Sequence, residues 1–165
     1  MTVLVPVLIT PPGALFTSID EVKAHLRVSH SYEDTLISQL TSAAVAYLDG
    51  WKGVLGRCIM PQTWSVDAEA GDVLLPFPDI TDARVGGVSV PITLCANGAV
   101  VTIEEAGTVE FDCELPESNR EVVKVIVKLL VGHWYENREA VVIGNITTLP
   151  IAVDALMAPL RWRVI

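Results

Sequence analysis

The chain has 165 residues, the size of one domain, with 51% hydrophobic residues, 19% charged residues and a formal net charge of −9. Such a length buries a real core, and the negative balance argues against a protein that clamps DNA by neutralising its phosphates. No apolar run reaches the roughly 18 residues of a membrane span; the longest, residues 125–134, is broken by Lys128 and His133.

Residues 1–16 hold Pro6, Pro11, Pro12 and Gly13 among Val and Leu. Proline forbids a regular helix or a central strand there, so the segment reads as an extended arm. Its apolar residues call for a surface to pack on, either its own domain or a neighbour. The segment lacks the basic flank and small-residue cleavage site of a secretory signal.

Two helices follow. Ser18-Ile19-Asp20-Glu21 fits a capping box, in which serine and glutamate side chains reciprocally satisfy free amides. Ile19, Val22 and Leu26 then share a face. Ser31-Tyr32-Glu33-Asp34 offers a second cap with acidic residues at the positive end of the helix dipole. Leu36, Leu40, Ala43, Tyr47 and Trp51 recur at helical spacing until Gly50 and Gly53 stop the helix. The two are expected to pack as a hairpin.

From Pro61 to Pro116 the pattern changes to strands: Gln62 to Val66, Val73 to Leu75, Val88 to Val90 and Thr108 to Asp112. Asn97-Gly98, flanked by Ile92 to Cys95 and Val100 to Ile103, predicts a hairpin with a type I′ turn. A third helix is expected from about Ser118, in a capping box with Glu121, to about Glu136. Arg120, Lys124 and Lys128 make one basic stripe on it and nearly everything else is apolar, so it needs cover on several sides. After a loop through Gly144 and Asn145, Pro150 suits the first turn of a last helix with Val153, Leu156 and Met157 inward, ended by Pro159. The fold class expected is α+β: a small bundle of three to four helices with an inserted antiparallel β-region, forming one domain over residues 1–165.

The search for chemistry is negative. His25, His30 and His133 lie in different elements, with no metal-ligand spacing such as HExxH, no Gly-rich phosphate loop and no GxSxG. No catalytic, cofactor-binding or metal-ligating residue is assigned, and the protein is expected not to be an enzyme. Three cysteines, Cys58, Cys95 and Cys113, form no CxxC pair; buried thiols in a reducing cytoplasm are the simplest account. Charge is more informative. Between Val66 and Ser118 stand eleven acidic residues against Arg84 alone, a net of −10 that leaves the rest of the chain close to neutral. Such a region is either a solvated face or a wall that repels DNA.

The residues also carry a family likeness. Residues 17–28, then Asp34 with Leu36-Ile37, Gln62-Thr63-Trp64, Leu149-Pro150 with Val153, Leu156 and Pro159, and above all the stretch from Leu129 through His133-Trp134-Tyr135 to Arg138 and Ala140, resemble the head–tail connector (adaptor) proteins of tailed phages, including those of gene transfer agents. The resemblance spans about Pro11 to Pro159. It implies a virion structural protein made in a bacterial host cytoplasm. Its place would be the particle neck, as a ring, in such families a dodecamer, between the portal and the stopper or tail. DNA would pass the lumen without specific binding, and there would be no membrane partner and no cofactor. The alternatives are a small-molecule-binding or enzymatic α+β domain and another neck component such as a stopper. Within that likeness His133, Trp134, Tyr135 and Arg138 are expected to act as structural anchors, Trp and Tyr as large amphipathic side chains and Arg as a bidentate carboxylate partner. The tail Leu160, Arg161, Trp162, Arg163, Val164 and Ile165, following Pro159, is expected to leave the domain and dock on the portal, since Trp and Arg are enriched at binding hot spots.

Overall fold

A computed structural model describes residues 4–13, 16–95, 98–137 and 151–162. Its elements in chain order are β1 (Val7–Thr10), α1 (Ile19–Leu26), α2 (Asp34–Leu48), β2 (Gln62–Ala68), β3 (Gly71–Leu74), β4 (Ile80–Val85), β5 (Val88–Ser89), β6 (Ile92–Cys95), β7 (Gly98–Ile103), β8 (Gly107–Cys113), α3 (Glu117–Glu136) and α4 (Ile151–Met157). The fold is α+β: β1 precedes the first helix, and the other seven strands are inserted between α2 and α3.

The inserted strands form two antiparallel sheets, a five-stranded one in the order β1-β2-β8-β4-β5 and a three-stranded one in the order β3-β7-β6. Alternation decides which side each residue takes. Trp64 lies opposite Phe111 and Val66 opposite Val109 across β2 and β8, while Ala83 of β4 meets Phe111 from the other side. These residues are buried, as are Val73 of β3 and Ala99, Val101 and Ile103 of β7, so the inner faces of both sheets share one core. Phe77, fully buried in the β3–β4 connection, is its hub: its ring lies 5.2 Å from that of Trp64, 6.0 Å from Phe111 and 6.1 Å from Trp51.

A second core is helical. Val22 of α1, Ile37, Ala44 and Leu48 of α2, and Val153 and Met157 of α4 surround Val123, Ile126, Val127, Leu130 and Val131 of α3. The apolar circumference of α3 thus finds its cover largely within one chain, Val125 staying exposed. A salt bridge of 2.6 Å from Lys23 to Asp34 closes the α1–α2 hairpin.

Several expectations are corrected. The capping box at Ser18 and Glu21 is present, but α2 has no side-chain cap: Glu33 is its N-cap, and the Asp34 carboxylate is taken by Lys23 instead. Nor does Ser118 cap α3. Pro116, extended at ψ 140°, is the N-cap; Ser118 falls inside the first turn, and Glu121 pairs with Lys124. The hairpin of β6 and β7 pairs Cys95 with Gly98, so Gly98 stands in the strand and not in the turn; Asn97 lies outside the described residues. Strand β4 had no place in the sequence reading, and β1 makes the middle of the arm an edge strand on the chain's own sheet. Cys58 and Cys113 are not free thiols but a buried disulfide, which ties the loop after α2 to the end of β8 within the sandwich core; Cys95 is exposed.

Candidate functional site

The acidic residues of the β-region divide into two groups. On the outer face of the large sheet, Asp82 and Asp112 lie opposite one another on β4 and β8, with Glu110 opposite Arg84. Like charges so close repel unless bridged. Arg84 bridges them, donating to Asp112 at 2.7 and 2.9 Å and to Asp82 at 2.7 Å. Hydrogen bonds from Arg84, aided by Thr63, hold the Asp112 carboxyl below its ordinary value. At one end of the sandwich the turns β2–β3 and β7–β8 come together, since Ala68 pairs with Gly107 and Gly71 with Ile103. There Asp67, Glu69, Asp72, Glu104 and Glu105 are all exposed. Asp67 accepts from the Thr108 hydroxyl at 2.6 Å and Asp72 from that of Thr102 at 2.7 Å; no salt bridge reaches any of the five among the described residues. This end is a concentrated negative field with nothing built to neutralise it.

The expected anchors sit at the C-terminal end of α3. Trp134 is half-buried and meets Tyr47 of α2 edge to face, ring centres 6.2 Å apart. The Tyr135 hydroxyl donates to the Glu33 carboxylate at the start of α2. The His133 carbonyl accepts from the backbone and side-chain N–H groups of Asn137, at 3.1 and 2.7 Å. Arg138 lies outside the described residues, as do Gly144, Asn145, Leu149 and Pro150.

The C-terminal segment does not leave the domain at Pro159. Leu160 is buried, and its carbonyl accepts from Arg57 Nε at 2.7 Å. The backbone N–H of Trp162 donates to the Leu55 carbonyl at 2.7 Å. Arg57 in turn pairs with Asp79 at 2.6 Å, and burial raises the Asp79 carboxyl even against that partner. Gly56, at φ +62°, makes room: a Cβ there would lie 2.5 Å from the Trp162 carbonyl oxygen. Pro159 ends the helix as expected, but the buried Leu160 carries the chain back onto the core. Arg163, Val164 and Ile165 lie outside the described residues.

A groove of about 230 Å³ runs between α2 and the segment before α1, lined mainly by Phe16, Ile19, Val45 and Met60, with Thr17, Ser38, Thr41, Ser42 and Asp49 as polar members. Most of these polar groups are already engaged, Thr17 with Glu21 and Ser42 with the Ser38 carbonyl. The Thr41 hydroxyl donates to the Ile37 carbonyl, and Asp49 accepts from Ile59 N–H and Gln62 Nε2 at 2.7 and 2.6 Å. A small-molecule site needs several convergent polar groups left over for the ligand, and among the groove's lining side chains the Ser38 hydroxyl alone stands outside these bonds. Among the described residues no three His, Cys, Asp or Glu side chains gather as a metal set.

No family model matches the sequence, and no curated protein matches it. Solved structures do. A chain in the neck of an empty gene transfer agent particle, computed with sixfold symmetry, matches with a TM-score of 0.65 over 98% of this chain and 97% of that one, at 19% identity. The fold is shared with a neck chain of gene transfer agent particles. A chain of the native gene transfer agent virion matches with a TM-score of 0.65 at 16% identity, over 97% of this chain and 96% of that one. One in the native neck computed with twelvefold symmetry matches at 0.61 and 19% identity, over 99% and 97%. The match includes both the helices and the inserted sheets, because it runs nearly end to end in both chains.

Proposed function

We propose that this chain is a structural adaptor subunit of the neck of a phage or phage-like particle, non-enzymatic, assembled as a ring between the portal and the stopper or tail. The observation that carries the reading is the near full-length structural likeness to neck chains of gene transfer agents. It is supported by the sequence resemblance to connector proteins and by a groove whose polar groups are mostly spent on the fold. A stopper is the rival reading; helices on both sides of the inserted strands, packed as one bundle, favour the adaptor. The acidic end of the sandwich is assigned to the lumen, where like charge lets DNA slide without sticking. Portal docking is assigned to the C-terminal segment, with residues 160–162 as a fixed base on the domain.

The test is imaging of native particles at side-chain resolution, together with deletion of the gene. The adaptor reading expects this chain in the neck against the portal, and filled heads without tails in its absence. Finding the chain free in the host and absent from particles removes it. Deleting only residues 163–165 separates docking from folding: portal attachment should be lost while the melting temperature holds, and unchanged attachment moves the docking surface elsewhere.

A further inference from the structure

Four strand edges close the two sheets, and they are treated in two ways. Natural proteins blunt exposed edges with charge, proline or shortness, because a bare edge recruits another strand. Strand β5 is two residues long, and β3 carries Asp72 with Glu69 just before it. The other two edges, β1 and β6, are four residues each and carry no charge. Their surroundings go further: residues 1–19 and residues 85–103 contain no Asp, Glu, Lys, Arg or His, and they are the two longest such stretches in a chain of net charge −9. On these edges apolar side chains face solvent, Val7 at 60% and Ile9 at 51% of their full exposure on β1, and Leu94 at 72% on β6.

We propose that β1 of one copy pairs edge to edge with β6 of the next, so that these two strands form the contact that closes the ring. The occupant is a second copy because both halves of the match are on one chain: two edges of equal length, both apolar, belonging to different sheets. Two different patches that fit one another give a head-to-tail contact, which is what generates rings. Electrostatics points the same way. Copies that each carry −9 repel wherever their acidic residues face one another, and the two uncharged stretches are where they can approach without like-charge cost. Pairing would satisfy the outward N–H and C=O groups of both strands and cover the exposed side chains together. The proposal rests on the ring reading above and adds which edges meet.

Cys95, exposed at the end of β6, supplies a native probe. Val7→Cys, Leu8→Cys and Ile9→Cys are each made with Cys95 kept and with Cys95→Ser, and treated with a mild disulfide oxidant, which takes two electrons and two protons from the thiol pair. The Cys58–Cys113 bond is buried and stays outside the reaction. Each variant is read both in purified particles and as concentrated protein. At least one should give a covalent ladder beyond the dimer that needs Cys95 and collapses with reductant. No ladder in either preparation overturns the contact, as do dimers that persist with Cys95→Ser (β1 against β1) or cross-links only to a different protein. Locating the chain in particles separates the two readings. A chain found in necks without a ladder leaves the adaptor role standing and removes this contact; a ladder from protein absent from particles does the reverse. Ile9→Lys and Leu94→Lys, at exposed positions, should keep the melting temperature within a few degrees and weaken assembly about tenfold or more; assembly unchanged in both also overturns it.

Discussion

Arg84 stands among Asp82, Asp112 and Glu110, and the outer face of the large sheet depends on it. Arg84→Ala should cost about 1 kcal/mol at pH 7, a modest figure because these side chains are partly exposed. The sign with pH follows from the depressed Asp112 carboxyl. Its contribution is present above the unfolded value near pH 4 and is lost as pH falls through the lower folded value. The gap between the native protein and the variant should therefore close toward pH 2.5 in urea melts; a gap unchanged there removes the pairing as its cause. Asp49 and Asp79 act in the opposite sense, since burial raises both. Their ionisation opposes folding at neutral pH, and that opposition fades as pH falls through their raised values. Gly56→Ala, forced against the Trp162 carbonyl at a positive φ, should cost about 2 kcal/mol. It should also loosen the C-terminal segment, read as faster tryptic cleavage at Arg161. Local features of this kind differ in how legible they were. The Ser18–Glu21 box spans four residues and could be read directly, whereas the disulfide joins residues 55 apart and leaves no spacing signal.

At the level of elements, α3 announced itself because its lysines repeat every four residues along an apolar helix, and the structure runs it from Glu117 to Glu136. Strand β4 was hidden: Asp82 and Arg84 dilute its apolar content, and a register shift between Ile80 and Asp82 breaks its alternation. Only its neighbour β8 explains it, by supplying Asp112 to Arg84 and Phe111 to Ala83. The pairing of two sheets was equally beyond the sequence pattern, since a strand's alternation says which side is buried but not against what. The two resulting cores are distinct clusters. Ile126→Val in the helical core and Ile103→Val in the sandwich should each cost about 1 kcal/mol. The double variant should be additive within about 0.5 kcal/mol, as expected of sites without shared partners. A larger coupling in denaturant melts shows that the cores act as one unit.

For the whole molecule, on the proposed adaptor reading, charge is the property that would decide how assembled copies treat DNA. The net of −10 between Val66 and Ser118 was readable from composition, but its concentration was not. Five of the eleven carboxylates are in salt bridges on the sheet and against α3: Asp79, Asp82, Asp112, Glu114 and Glu117. Five of the other six gather at the end where the β2–β3 and β7–β8 turns meet, because strand register brings Glu69 and Glu104-Glu105 to one place. Repeated around a ring, this end makes a collar of strong negative potential if it faces the passage, and DNA there is repelled by every subunit alike. An assembled ring should show a lumen with more acidic than basic surface. Reversing Glu69→Lys, Glu104→Lys and Glu105→Lys together, all at exposed turns, should leave the fold intact and create a ring that retains DNA in a filter assay. Retention should fall steeply as salt rises, since bound phosphates release counterions. A lumen lined mainly by Lys and Arg, or a reversed ring that holds DNA no better than the native one, places the acidic end on the outside, where its charge serves solubility and not passage.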